Sequence, residues 1–165
     1  SRVDSGQEWQ KANLQTCLET TLNVATKEIK HKADVVRAYA EIPEIECLPS
    51  QLNQVFLNLM VNAAQAIAVH GTLTLATGCE GDGVWVSISD TGGGIAPENL
   101  NRIFDPFFTT KPVGKETGLG LSVSYNIIAK HNGRIEVESE VGKGTTFRIW
   151  LPIIQPKPEA AAPTA

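Results

Sequence analysis

Two hydrophobic periods divide the chain into predicted helices and strands. Where apolar residues recur every three or four positions, an amphipathic helix is predicted, and this spacing covers residues 13–30, 50–69 and 121–131. Where apolar and polar residues alternate, a half-buried strand is predicted, and this spacing covers residues 34–40, 72–77, 84–90, 134–139 and 145–151. Weaker patterns predict a short strand at 44–47 and a short helix at 97–103.

Turn and capping residues separate these stretches. Ser50 is the predicted N-cap of the second helix, and Gly71 is predicted to end that helix. The run 80–83 predicts a tight hairpin turn, and Asn132-Gly133 predicts the end of the last helix. Tight turns between consecutive strands imply a mixed, mostly antiparallel sheet. With helices covering one face of that sheet, the predicted fold is a two-layer α+β sandwich.

The phase of two strands directs polar groups toward the interior. Asp90 falls on the same face of its strand as Val84, Val86 and Ile88, and Thr145 is in phase with the apolar residues of the last strand. A buried carboxylate is costly unless it is paired. Asp90 is therefore either a ligand-binding group or a turn residue that bonds its own loop.

A polar stripe lies on the helix predicted at 50–69. Asn58, Asn62 and Gln65 follow one face of this helix, well separated from its apolar face. Asparagine is a mediocre helix former, so two of them one turn apart suggest a reason beyond helix formation. They either bind a ligand or lie on the solvated side of the helix.

Composition limits the classes of function. The chain has 165 residues and a formal net charge of −4 without a basic run, which is typical of one acidic domain with no nucleic-acid or anionic-membrane surface. The cysteines are odd in number and widely spaced, which favours free thiols in a reducing compartment. No apolar run approaches transmembrane length. Direct contact of this segment with nucleic acid or membrane is therefore not expected.

The predicted organisation is one domain between two polar ends. Residues 1–10 are interpreted as a linker from an absent upstream domain, and residues 11–153 as the folded domain. The Pro- and Ala-rich residues 154–165 are interpreted as a disordered tail or linker.

Five motifs stand in order along the predicted domain. They are Asn58-Leu-Met-Val-Asn62-Ala, Asp90-Thr-Gly-Gly-Gly-Ile, Phe104-Asp-Pro-Phe-Phe, Thr117-Gly-Leu-Gly-Leu-Ser122 and Gly142-Lys-Gly-Thr-Thr-Phe147. Together they resemble the N, G1, F, G2 and final glycine boxes of the catalytic ATP-binding domain of bacterial sensor histidine kinases. These kinases belong to the wider Bergerat-fold (GHKL) superfamily of gyrase, Hsp90 and MutL. The resemblance covers about residues 14–152, looks most like the nitrogen-regulation type, and implies a Bergerat fold with a flexible ATP lid.

The resemblance implies that the chain binds ATP with Mg²⁺. Asp90 would accept a hydrogen bond from the adenine amine, and Thr145 would support that edge of the base through water. Gly92 and Gly94 would let the backbone approach the nucleotide closely. The apolar contacts implied on this side are Ile95 and Ile103, which would wall the base, together with Phe104 and Leu121.

On the phosphate side, the resemblance makes Asn62 the Mg²⁺ ligand and orients Asn58 toward the same phosphates. Residues 105–120 correspond to the ATP lid. Its implied phosphate-binding residues are Thr117, Gly118, Leu119 and Gly120, the last three through backbone N–H groups at the start of a helix. Lys111 and Lys115 are the lid cations, which either meet the phosphates or remain solvated.

One position separates kinases from ATPases within this superfamily. Asn58 stands where the ATP-hydrolysing relatives carry a glutamate that activates water, and an amide cannot take a proton at neutral pH. The implied activity is therefore histidine kinase, with Asn58, Asn62, Lys111 and Lys115 as the catalytic set. Gln65 replaces a basic residue that many sensor kinases place near the phosphates.

The phospho-acceptor is missing from the sequence. The family's acceptor histidine is followed by an acidic residue, whereas His31, His70 and His131 are followed by lysine, glycine and asparagine. These three histidines are interpreted as structural or solvated. The implied partners are the protein's own dimerisation and histidine-phosphotransfer domain and a response-regulator receiver domain.

The implied location is cytoplasmic, either as a free protein or as part of a membrane-anchored sensor. The alternatives are an autonomous Bergerat-fold ATPase, a nucleotide-sensing module without catalysis, and a serine kinase of the anti-sigma-factor type.

Overall fold

Helices and strands alternate through residues 8–108 and 120–156, which are the residues described by the structure, a computed structural model. The strands in this part of the chain are β1 (Gln10–Ala12), β2 (Ala33–Tyr39), β3 (Ile45–Cys47), β4 (Gly71–Glu80), β5 (Gly83–Asp90), β6 (Arg134–Glu140) and β7 (Gly144–Pro152). The helices are α1 (Leu14–Val24), α2 (Thr26–Lys30), α3 (Pro49–Ala66), α4 (Pro97–Leu100) and α5 (Gly120–Lys130).

The main sheet has five strands in the order β2-β4-β5-β7-β6. Only β2 and β4 pair in parallel, and the other neighbours are antiparallel. A separate two-stranded sheet pairs β1 with β3. The fold class predicted from the sequence, a mostly antiparallel α+β sandwich, is confirmed.

The core lies between the helices and one face of the sheet. Strands β4, β5 and β7 alternate buried and less buried residues, as expected for a sheet covered on one side. Helix α3 runs through the middle of the helical layer, between α1 and α5. Its fully buried side chains include Leu52, Val55, Phe56, Leu59 and Met60. On the other face of the sheet, Arg148 lies over the Trp85 ring and Arg134 over the Trp150 ring.

Several local boundaries differ from the sequence prediction, including that of the short helix predicted at 97–103, which ends at Leu100. The helix predicted at 13–30 is interrupted at Ala25, which is fully buried and has non-helical backbone angles. Leu48, not Ser50, is the N-cap of α3, because Pro49 occupies the first helical position, where its missing N–H has no cost. Helix α3 ends at Ala66, not at Gly71, which is the first residue of β4.

Contacts from distant segments explain the early end of α3. The Ala66 carbonyl accepts the Gly93 N–H at 3.0 Å, and the Ile67 carbonyl accepts the Lys32 ammonium. The last carbonyls of a helix need such partners. The predicted end of α5 at Asn132-Gly133 is confirmed, because Asn132 has a positive φ of 61° and the Gly133 N–H bonds Ile128.

Residues in both segments that were predicted to be a linker or a tail make contacts with the folded domain. Gln10 already belongs to β1 and pairs with Cys47, and the Trp9 ring packs 4.9 Å from His131. At the other end, the Gln155 side chain donates to the His131 carbonyl at 2.8 Å. The domain limits of 11 and 153 remain predictions.

Candidate nucleotide-binding site

Asp90 and Thr145 face each other at the ends of neighbouring strands. Asp90 is the last residue of β5, and Thr145 is its partner in β7. They are only 8% and 5% exposed, so both polar side chains are buried, as the strand phases predict. Burial raises the pKa of Asp90, while hydrogen bonds from the backbone of Gly92 and Thr145 oppose that shift.

Asp90 also belongs to the turn that follows it. Its Oδ1 accepts the Gly92 N–H at 2.8 Å, so the turn interpretation of this residue holds. The backbone contacts from Gly92 and Thr145 are weak compensation for a buried negative charge. Asp90 is thus a turn residue whose carboxylate is also largely desolvated at the end of the sheet, and its role as a ligand-binding group stays a prediction.

A hydroxyl network orients Thr145. Ser139 Oγ donates to the Gly144 carbonyl at 3.0 Å and accepts the Ile95 N–H at 2.7 Å. Its distance to Thr145 Oγ1 is 2.7 Å, and because Ser139 has already used its one proton, Thr145 is the donor in this pair. The Thr145 oxygen is thereby turned into an acceptor. Ser139 is not among the site residues predicted from the sequence, although it follows Ile135 and Val137 at the strand period.

The glycine turn after Asp90 packs against two other segments. The Gly93 carbonyl accepts the Gly142 N–H at 2.9 Å. A Cβ at Gly92 would lie 2.5 Å from the Ala66 carbonyl oxygen, and a Cβ at Gly94 would collide with the Glu140 carbonyl. Gly94 also has a φ of 81°, which disfavours other residues. Glycine is thus required here by packing. The predicted approach of nucleotide to these glycines stays a prediction.

Asn58 connects α3 to the beginning of α5. Its Nδ2 donates to the Gly120 carbonyl at 3.1 Å and to Ser124 Oγ at 3.2 Å. Asn62 follows one turn later and is half-buried, whereas Gln65 is exposed. Part of the polar stripe predicted on α3 therefore lies beside α5. Asn58, the first residue of the stripe, is held by its contacts with α5.

The residues of the predicted apolar wall all pack against the hydrophobic core. Ile103 is buried, and Ile95, Phe104 and Leu121 are half-buried against the core. The Phe104 ring lies 5.3 Å from Tyr125 and 6.4 Å from Phe147, which is two residues beyond Thr145 in β7. Phe104 is thus linked to the strand that carries Thr145, and Ile95 is linked to Ser139; their role as a wall for the base stays a prediction.

Five of the predicted site residues lie outside the described residues: Lys111, Lys115, Thr117, Gly118 and Leu119. Among residues 8–108 and 120–156, no group of three or more His, Cys, Asp or Glu side chains is arranged to hold a metal ion. Amide oxygens of the asparagine stripe are hard ligands of the kind that Mg²⁺ takes together with phosphates and water. The chemistry of the residues present thus fits Mg-ATP.

The histidines have structural or surface environments. His131 is fully buried, with Nε2 accepting the Leu48 N–H at 3.0 Å and Nδ1 bonding the Ile127 carbonyl at 2.8 Å. Burial lowers the pKa of His131, so its ring is neutral. His31 caps α2, and His70 lies 3.4 Å from Asp34 at the surface.

Fold and site together define a class of protein. Residues 47–155 match the family described as histidine kinase-, DNA gyrase B- and HSP90-like ATPases, and the chain belongs to this family. The resemblance to sensor histidine kinases is confirmed by individual relatives. The chain is 42% identical over 146 residues to the sensor histidine kinase ZraS of Escherichia coli K12, covering 87% of this chain and 31% of ZraS. It therefore spans about a third of that relative.

Solved structures agree with this assignment. The nucleotide-free catalytic domain of histidine kinase ThkA superposes with a TM-score of 0.80 at 30% identity, covering 90% of this chain and 97% of ThkA's domain. Full-length ShkA, solved with AMPPNP, gives 0.80 at 24% identity, covering 94% of this chain and 33% of ShkA, and shows the fold alone. The nitrogen-regulation subtype remains a prediction. Within the described residues, no helix is both long and apolar enough to cross a bilayer.

Proposed function

We propose that this chain is the catalytic domain of a sensor histidine kinase, which binds Mg-ATP and transfers the γ-phosphoryl group to a histidine on a dimerisation domain outside the chain. The family match and the ZraS and ThkA similarities support the kinase assignment. The observation that carries the nucleotide half of the proposal is the buried carboxylate of Asp90, placed beside the Thr145 hydroxyl at the end of the sheet.

Base recognition follows from the acceptors at this strand end. The adenine amine donates hydrogen bonds, and the buried Asp90 carboxylate is an acceptor that gains from such a donor. Thr145, which donates to Ser139, presents its oxygen as a second acceptor for a bridging water. Ile95 and Ile103 would contact the faces of the base, with Phe104 and Leu121 beside them. Gly92 and Gly94 keep the neighbouring backbone free of side chains.

The phosphates would lie toward α3 and the beginning of α5. Asn62 would bind Mg²⁺, with Asn58 beside it, and the ion when bound would neutralise charge on the phosphate oxygens. Backbone N–H groups of Gly118, Leu119 and Gly120 would contact the phosphates at the N-terminus of α5, with Thr117 beside them. Lys111 and Lys115 would supply positive charge from the lid.

Transfer rather than hydrolysis is supported by the chemistry of Asn58. Both protons of its amide nitrogen are used in contacts with Gly120 and Ser124, and an amide oxygen is not a base at neutral pH. No carboxylate at this position of α3 is available to activate water. The γ-phosphoryl group is thereby preserved for another acceptor.

The proposed partners follow from the sensor-kinase relatives. They are the protein's own dimerisation and histidine-phosphotransfer domain and, downstream, the receiver domain of a response regulator. The proposed location is the cytoplasm, where ATP and these partners are found.

The test is to incubate the purified chain with γ-labelled ATP and Mg²⁺, alone and with the dimerisation domain of its full-length protein. We expect ATP binding, very slow hydrolysis, no label on the isolated chain and label on the added domain. Rapid hydrolysis without the acceptor would favour an autonomous ATPase. ATP binding without any transfer would favour a nucleotide-sensing module, and label on the isolated chain would show that the acceptor is present here.

A further inference from the structure

Helix α5 buries a serine hydroxyl that its hydrophobic pattern does not predict. The pattern directs Leu121, Val123, Ile127 and Ile128 inward, but Leu121 and Val123 are only half-buried. Ser124 is instead fully buried, and its Oγ accepts the amide of Asn58 at 3.2 Å. A buried hydroxyl in the helical layer thus contacts the residue that distinguishes kinases from ATPases in this superfamily.

The two contacts of Asn58 determine which end of its amide faces α5. An amide nitrogen has two protons, and here they go to Ser124 Oγ and to the Gly120 carbonyl. Because the amide is planar, Oδ1 then points away from the nitrogen and its α5 partners. In this orientation the side chain presents an acceptor, which suits Mg²⁺ or a water bound to it, rather than a donor to phosphate.

Loss of either contact would make it easier for the Asn58 amide to rotate into another orientation. The Gly120 carbonyl belongs to the first residue of α5, which is also the last residue of the segment that the resemblance makes the lid. Ser124 lies one turn deeper in α5 and is fully buried, so it is the fixed member of the pair. Without the Ser124 hydroxyl, only the Gly120 contact would oppose rotation of the amide.

We propose that Ser124 is a positioning residue for phosphoryl transfer, which acts by holding the Asn58 amide with Oδ1 directed toward the Mg²⁺ side of the nucleotide. This inference rests on the proposed function, because it assumes that Mg-ATP occupies the site. Ser124 itself contacts neither nucleotide nor metal.

The test is a double-mutant cycle on the chain itself, with ATP affinity measured by calorimetry in Mg²⁺ and in EDTA. We expect Ser124→Ala to reduce the gain in affinity that Mg²⁺ provides by about 2- to 10-fold, the range of one hydrogen bond, with ATP affinity in EDTA unchanged. In the Asn58→Ala background, Ser124→Ala should have no further effect. The matched control is Thr21→Val, which removes a buried helix hydroxyl that donates to the Cys17 carbonyl within α1.

The outcomes separate this inference from the proposed function. If Asn58→Ala reduces the Mg²⁺-dependent gain and Ser124→Ala does not, the positioning role is wrong and the kinase proposal stands. If Ser124→Ala has the same effect with and without Asn58, the serine acts through general packing and the inference is again wrong. If the unaltered chain binds no ATP, the proposed function and the inference both fail.

Discussion

Replacing Asp90 with asparagine tests the base-recognition role most directly. The two side chains have the same shape, so Oδ1 of asparagine can still accept the Gly92 N–H, which lies 2.8 Å from the native oxygen. The change removes the charge and puts an NH₂ group in place of the second carboxylate oxygen. An adenine amine would then meet a donor instead of an acceptor.

The expected loss is that of a hydrogen bond to a buried charged group. Asp90 is 8% exposed, so water cannot replace the lost acceptor well. Such bonds contribute about 1.5–3 kcal/mol, and at 1.4 kcal/mol per factor of ten this weakens ATP binding by about 10- to 150-fold. Preference for ATP over GTP should also narrow, because guanine presents a carbonyl that the new NH₂ group can contact.

Although Asp90→Asn should weaken ATP binding, it should not lower the stability of the nucleotide-free protein. Burial raises the folded-state pKa of Asp90, so the folded state binds more protons than the unfolded state between the ordinary carboxyl pKa and the raised one. The free energy of unfolding therefore falls as pH rises through that window, and at neutral pH the carboxylate carries a cost. Asp90→Asn removes this cost, so the melting temperature without nucleotide should be unchanged or higher.

The assay is calorimetric titration with ATP and GTP, paired with thermal unfolding without nucleotide. Asp82→Asn is the matched control, because Asp82 lies in the exposed turn at the other end of the same strand. ATP affinity within twofold of the unaltered chain would refute the role given to the Asp90 carboxylate. A weakened affinity together with a lower melting temperature would mean that the loss comes from misfolding, not from recognition.

Three further predictions concern the metal, the glycine turn and the buried histidine. Asn62→Ala should abolish most of the affinity that Mg²⁺ adds to ATP binding, measured by titration with and without the metal; an unchanged gain would contradict its role as ligand. Gly94→Ala should lower the melting temperature, because Gly94 has a φ of 81° and a Cβ there would collide with the Glu140 carbonyl; equal stability would contradict that packing. For His131, burial lowers the folded-state pKa, so the unfolded state binds more protons below the ordinary histidine pKa of about 6.5. The free energy of unfolding by urea should therefore fall with a slope of up to about 1.4 kcal/mol per pH unit as pH drops through this range, and His131→Gln should reduce that slope.

Much of the fold could be predicted because its signals are local. Strand alternation depends only on neighbouring residues, so the phase that buries Val84 and Ile88 also places Asp90 inside without reference to the rest of the chain. The same reasoning placed Thr145. The hairpin between β4 and β5 and the end of α5 could also be predicted from local sequence. Glycine and asparagine favour the backbone conformations of the turns in which they themselves lie.

Element boundaries within the helical layer were harder to predict. The break at Ala25 and the end of α3 at Ala66 depend on what lies against these residues. Gly93 and Lys32 bond the last turn of α3, and Lys32 precedes that turn by more than thirty positions. A periodic pattern carries no information on partners at such separations, so the predicted helices ran too long.

For this protein, the sequence by itself determined the fold class, the order of the motifs and the inward direction of Asp90 and Thr145, because these depend on local period and residue type. Only the tertiary structure decided how those groups are held. Ser139 orients Thr145, and Ser124 meets Asn58 from 66 positions away. A hydroxyl on a helix or strand looks the same in sequence whether it faces water or a functional side chain, and the packing of two elements decides between these possibilities.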